Sequence, residues 1–231
     1  MEDLPFWLGL LHSRGEPFLE LGCGTGRIFT RLAQAGFQGF GLDRDPAKLA
    51  YLRANLAPDL SSPACVFQGD MASFHLGMKF PLIILPCNTL STLSAADCAK
   101  MLACVHRSLG PGGWFAASIP NPALYPHLPP EAESEVEDVF EDPSTGEAIQ
   151  VSSAWTRSSE ALVVHWHYDR LFADGKVERM SMETFHRFAP LAEYRKQIRN
   201  ADLKLVMEHG DYDGSAYNPH SAFWICVAER S

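Results

Sequence analysis

Between Phe18 and Arg27 the chain reads Phe-Leu-Glu-Leu-Gly-Cys-Gly-Thr-Gly-Arg: an apolar run broken by one acid, Glu20, then glycines at 22, 24 and 26. Glycine has no Cβ, so this spacing lets the chain turn sharply and bring backbone N–H groups against a ligand that side chains would block. Two more acids close short apolar runs, Asp43 after Phe40-Gly-Leu and Asp70 after Val66-Phe-Gln-Gly. Asp43 lies about 20 residues beyond the glycines, where a doubly wound fold meets ribose hydroxyls. In an open α/β sheet such strand ends converge on one crevice, which puts Asp70 beside a base. The third glycine follows the second by two residues, whereas a dinucleotide fingerprint needs three so that helix and strand pack closely. A carboxylate two residues before the loop also repels a pyrophosphate and suits a ligand carrying positive charge. The chemistry expected is therefore recognition of a cationic, phosphate-free nucleoside.

The elements that must position these residues follow from the hydrophobic period. Strand patterns near 17–21, 38–42, 64–68, 81–85 and 112–119 alternate with helical patterns over 25–35, 46–56 and 94–108, the mark of βαβ units. Asp45-Pro46 has the form of a helix start, and Gly110-Pro-Gly-Gly113 the form of a stop. After residue 120 the period becomes two, over 149–156, 161–173 and 176–188, with Ala173-Asp-Gly-Lys176 as a hairpin turn. A helix over 190–200 and strands near 203–209 and 222–229 complete the pattern, and residues 4–11 read as a short capping helix.

With those motifs in order, residues 17–119 resemble the class I S-adenosylmethionine-dependent methyltransferases. The resemblance implies an α/β fold: a Rossmann-like, seven-stranded, mostly parallel sheet with helices on both faces. To this the chain adds a small antiparallel β insert. The expectation is one methyltransferase domain over 1–231, with its core at about 15–120 and 189–231 and the insert at about 121–188. The cofactor implied is S-adenosyl-L-methionine, leaving as S-adenosyl-L-homocysteine. By resemblance Glu20 and the loop of Gly22, Cys23, Gly24 and Gly26 hold the methionine part. Asp43, with Arg44 beside it, takes the ribose; Asp70 and the backbone of Met71 take the adenine; Cys87 and Asn88 end the strand beside the methyl group. A nicotinamide oxidoreductase, and a binding protein that keeps this fold without transfer activity, are the alternatives.

Charge and composition narrow the partners. The net charge is −9, and seven acids with no base lie between Glu131 and Asp142, leaving −2 for the rest. Such a block reads as a solvated, mobile connection, or as a lid toward a cationic substrate. It opposes nucleic acid, which needs clustered Lys and Arg, and the fourth strand ends in Leu85-Pro-Cys-Asn88 rather than the Asp/Asn-Pro-Pro-Tyr/Phe of many nucleic-acid amino methyltransferases. The apolar stretch 4–11 is too short to span a membrane and lacks a signal peptide's basic start. Six cysteines without C-x-x-C spacing point to reduced thiols and a cytoplasmic protein.

Substrate choice is expected in the insert and its neighbours. Alternation puts His165, His167 and Asp169 on one strand face and Trp166, Tyr168 and Arg170 on the other. Two histidines do not make a zinc site, so no metal is expected. Tyr168 and Arg187 are substrate candidates, as are Asn88 and Tyr212, the last in the loop Gly210-Asp-Tyr-Asp-Gly-Ser-Ala-Tyr217. Each has a plainer reading. Arg187 could pair with Glu183 on its own strand face, Asn88 could cap a helix, and Tyr212 and Tyr217 could serve turn chemistry. No catalytic dyad stands out, as befits a displacement in which positioning does most of the work. His167, Tyr168 and His186 are the possible bases if the acceptor must lose a proton.

Overall fold

The computed structural model describes residues 3–57, 62–142 and 145–231. It divides into two compact units, one of residues 1–123 with 190–231, the other of residues 124–189.

The larger unit begins with α1 (Leu4–Arg14) and β1 (Phe18–Leu21). It continues through α2 (Phe29–Gln34), β2 (Gly39–Asp43), α3 (Pro46–Asn55), β3 (Ala64–Gln68), β4 (Phe80–Leu85), α4 (Ala95–Ser108) and β5 (Leu109–Pro120). The chain returns to it as α5 (Leu191–Asn200), β10 (Leu203–His209) and β11 (Phe223–Arg230). Its seven strands lie in the order β10-β11-β5-β4-β1-β2-β3, with β11 antiparallel to both neighbours and the remaining pairs parallel. This is the mostly parallel α/β sheet read from the sequence. No helix among the described residues is long and apolar enough to cross a membrane.

Local chemistry explains the boundaries. Asp45 caps α3, its Oδ1 accepting from the amides of Ala47 and Lys48 at 2.9 and 3.3 Å, while Pro46 occupies the first turn. Ser94 caps α4 by accepting from the Asp97 amide at 3.1 Å. All four residues of β1 are buried, as a strand covered on both faces requires. From β1 the sheet grows one way through β2 and β3 and the other way through β4 and β5. That reversal opens a crevice beyond the carboxyl ends of β1, β2 and β4.

The helix expected over 25–35 is shorter, since α2 starts at Phe29. Gly22, Gly24 and Gly26 all have positive φ, at +66°, +54° and +89°, so residues 22–28 wrap as turns before the helix can begin. Gly26 also has no room for a side chain: an added Cβ would sit 2.3 Å from Leu52 Cδ1 on α3.

The smaller unit is a four-stranded antiparallel meander of β6 (Glu131–Glu141), β7 (Ala148–Arg157), β8 (Ala161–Leu171) and β9 (Val177–Arg187), paired in that order. The acidic segment is therefore not a solvated connection. Residues 131–141 form the edge strand β6, hydrogen-bonded to β7 with two register shifts. Its period was hidden because acids stand at 131, 133, 135, 137, 138 and 141 with little apolar between them, so no run of alternate apolar residues marks a strand. Exposed on an edge, those charges keep their water and cost the strand little.

Gly26→Ala should lower stability by about 1–3 kcal/mol, through strain at positive φ and displacement of Leu52. Urea unfolding measures this, and an unchanged midpoint would refute the close packing of the loop on α3.

Candidate active site

Glu20 sits in the middle of the sheet, in register with Gly41 of β2 on one side and Ile84 of β4 on the other. It is 2 % exposed, and its Oε2 has no hydrogen-bond partner among the described residues. Burial pushes its carboxyl up to about 8; the charge of Arg27 draws it down, and those of Asp3 and Asp43 push it up further. A buried carboxylate without a partner is costly, so this site is built to be completed by a donor.

The glycine loop beside it departs from the expectation that its amides face a ligand. Gly22 and Cys23 both donate to the Leu42 carbonyl, at 2.7 and 3.1 Å, and Gly26 donates to the Cys23 carbonyl at 2.8 Å. Gly24 donates to Asp43 Oδ2 at 2.8 Å. What these glycines contribute is the missing Cβ. A Cβ on Gly22 would lie 3.3 Å from both Met71 Cε and Thr89 Cγ2, whereas one on Gly24 would meet nothing nearer than Asp43 Oδ2 at 3.9 Å. Cys23 turns its thiol into the core against Gly41, where an added Cβ would meet Sγ at 2.8 Å. Any contact from Cys23 to a ligand is thus one of backbone, not sulfur.

Asp43 is held by two amides, Gly24 on Oδ2 and Asp45 on Oδ1 at 2.9 Å, which leaves each oxygen a further lone pair. Asp70 is exposed and accepts from the Ala72 amide at 2.8 Å. Arg44 is exposed. At the end of β4, Cys87 and Asn88 both adopt positive φ, 61° and 60°, two successive strained residues of the kind that gathers at functional sites. Asn88 precedes a short 3-10 turn, Thr89–Thr92, but its side chain makes no capping bond.

Sequence reasoning missed the group that ties this corner together. Arg27 forks onto Asp3, Nη1 to Oδ1 at 2.8 Å and Nη2 to Oδ2 at 2.6 Å, and Nη2 also donates to Cys87 Sγ at 2.8 Å. Burial raises the Asp3 carboxyl, but Arg27 and the Trp7 indole N–H together hold it below its ordinary value. Desolvation raises the Cys87 thiol, only partly offset by Arg27, so it stays protonated at neutral pH. Arg27 therefore joins the segment before α1, the glycine loop and the end of β4. The one signal available was an arginine directly after the glycines.

Tyr212 reaches the same corner. Its ring packs on Phe6, Trp7 and Phe223 at centroid distances of 6.0, 6.3 and 5.0 Å, and burial pushes its hydroxyl up to about 12. Tyr217 is committed to Asn121 Oδ1 at 2.9 Å. The remaining candidates belong to the smaller unit. Tyr168 lies on β8 opposite Val151 and Met180, and Arg187 ends β9 opposite Ala161. Glu183 hydrogen-bonds His165 Nδ1 at 3.1 Å, and His167 Nδ1 meets Ser181 Oγ at 2.8 Å. Burial lowers the His186 imidazole from its ordinary value.

Residues 18–113, the stretch that carries this geometry, match a family model described as a methyltransferase domain. Over this stretch, less than half of its length, the chain is similar to methyltransferase domains. The chain is 23 % identical to the putative methyltransferase YqeM of Bacillus subtilis over 92 % of this chain and 83 % of that protein. It is 24 % identical to the cypemycin N-terminal methyltransferase of a Streptomyces species, over 94 % of this chain and 84 % of that one. Its fold superposes on the crystal structure of an S-adenosylmethionine-dependent methyltransferase from Clostridium acetobutylicum with a TM-score of 0.84. That match covers 100 % of this chain and 91 % of the other at 13 % identity. The unpartnered Glu20 oxygen beside a Cβ-free cradle fits the α-ammonium group of the cofactor's amino-acid end.

Glu20 also fixes a pH dependence in the free protein. Its folded pKa, about 8, lies above the ordinary 4.5, so between those values the native state holds a proton that the unfolded chain has released. Stability therefore falls as pH rises through that window. Urea unfolding at several pH values should show this decline, and Glu20→Gln should flatten it; identical slopes in the two proteins would contradict the burial of an unpaired acid.

Proposed function

We propose that the chain is an S-adenosylmethionine-dependent methyltransferase acting on a small-molecule acceptor, and that its cofactor is held by Glu20, the loop from Gly22 to Gly26, Asp43, Asp70 and Met71. The observation that carries this reading is the buried, unpartnered carboxylate oxygen of Glu20 at the mouth of the loop. An ammonium presented there satisfies that oxygen and neutralises the charge in one step. The lone pairs left on Asp43 suit two ribose hydroxyls, and the exposed Asp70 suits the adenine amino group. Bound in this way, the cofactor supplies a methyl carbon already activated by its sulfonium.

The rest is positioning. Arg27 and Asp3 hold α1 against the glycine loop and set the height of Cys87. Asn88 then offers an uncommitted amide beside it, suited to orienting an acceptor. Tyr168, for its aromatic ring, and Arg187, for its charge, are the insert's substrate candidates. The cypemycin relative is an N-terminal methyltransferase, which favours an amine as acceptor here. We read residues 1–231 as one methyltransferase domain whose insert lies in sequence between β5 and α5. A cytoplasmic location is supported by six cysteines that show no C-x-x-C spacing.

Calorimetric titration tests the site. Asp43→Ala should weaken S-adenosylmethionine binding by roughly ten- to a hundredfold, the worth of hydrogen bonds to a charged group, with the fold checked by circular dichroism. Undiminished affinity would remove Asp43 from the site. Because Glu20 is largely protonated below about 8 and the ligand favours its ionised form, binding should release a proton near neutral pH and tighten as pH rises toward 8. The difference from Glu20→Gln isolates this effect. Titrations in buffers of unequal ionisation enthalpy measure it, and equal proton release in the two proteins would exclude Glu20 as the partner.

A further inference from the structure

The two edges of the four-stranded sheet are treated in opposite ways. Strand β6 carries acids at 131, 133, 135, 137, 138 and 141 and two register shifts, devices that stop a further strand from adding. Strand β9 has no register shift, and its two acids, Glu178 and Glu183, are matched in number by Arg179 and Arg187. It pairs with β8 without a shift over its whole length, from Leu171↔Val177 to Ala161↔Arg187, and its other side is the open edge of the sheet. Large apolar side chains stand exposed on both of its faces: Val177 at 54 % and Phe185 at 55 % on one, Met180 at 61 % and Met182 at 43 % on the other. A straight edge strand with exposed apolar side chains on both faces is a template for strand addition.

We infer that β9 is the docking edge for a second copy of this chain, joined antiparallel about a two-fold axis through Ser181. The order of residues along the strand specifies the partner. In this register Ser181 faces its own copy once, on the axis, while Arg179 faces Glu183 and Val177 faces Phe185, each of these two pairs occurring twice. On the opposite face Met180 meets Met182, again twice. Both charges keep much of their side-chain surface free, 55 % for Arg179 and 69 % for Glu183, although Arg179 also holds Asp169 and Glu183 also meets His165. Opposite charges and apolar pairs placed directly across a ladder each favour it. Shifting the axis by one residue to Met182 would put Arg179 opposite Phe185 and Val177 opposite Arg187, which loses the ion pairs and the Val177–Phe185 pairs and keeps only Met182 against its own copy. Two-fold closure leaves only the acidic β6 edges outermost, so assembly stops at two copies. This inference does not depend on the choice of cofactor or acceptor.

Light scattering on the eluting full-length protein should give twice the 25.6 kDa chain mass. Met182→Lys and Phe185→Lys should each reduce it to one copy, whereas Val139→Lys on β6 should leave it unchanged. Opposed residues in an antiparallel pair lie at about 4.5 or 5.5 Å between Cα atoms, within disulfide reach. Ser181→Cys should therefore oxidise to a dimer whose mapped peptides join position 181 to itself, a readout that does not need the lysine variants to fold. A single-copy mass at every concentration would overturn the inference. So would a dimer that withstands both β9 variants without the 181–181 link, or a ladder of larger species that signals open-ended pairing.

Discussion

A carboxylate buried in the central strand of the sheet sets the terms for everything around it. Glu20 lies between β2 and β4 with one oxygen unpartnered and its acidity weakened to about 8. Desolvating a charge is expensive unless a counter-charge arrives, and among the described residues Arg27 is what draws its acidity back. Arg27 is itself committed in a fork to Asp3. The ionised form of Glu20 is thus left one positive charge short. That deficit separates this pocket from a phosphate-binding loop of similar outline, in which backbone amides supply the attraction. Here the loop amides are spent on Leu42, Asp43 and the loop itself, so the loop provides shape and the acid provides charge.

Much of this was legible in the residues because it is local. Glycines at alternate positions demand turns and acids at strand ends demand a polar edge, while the period of apolar residues separates the parallel core from the antiparallel meander. The Asp45-Pro46 helix start is chemistry within four residues, and the hydrogen bonds to Ala47 and Lys48 follow from it. The Arg27–Asp3–Cys87 group is of another kind. Its members lie 24 and 60 positions apart, and no periodicity connects them. The acidic strand β6 was obscured for a different reason. Charges at nearly every second position erase the apolar face by which strands are recognised, yet on a sheet edge an apolar face is not required.

The same contrast runs through the two units. In the core, shape is fixed by contacts too close for any side chain, as at Gly26 against Leu52 and Gly41 against Cys23. In the meander, β7 and β8 hold the sheet together while the edge strands differ, one acidic and bulged, the other unshifted with exposed apolar side chains on both faces.

The central claim is that the pocket selects its ligand by a positive charge placed against Glu20. Calorimetry with S-adenosylhomocysteine and with an analogue lacking only its α-amino group tests this most directly, since both share the nucleoside and neither carries a sulfonium. The account predicts a loss of roughly tenfold or more for the deaminated analogue, and a much smaller loss in Glu20→Gln. Equal affinity for the two ligands in the unaltered protein would contradict it.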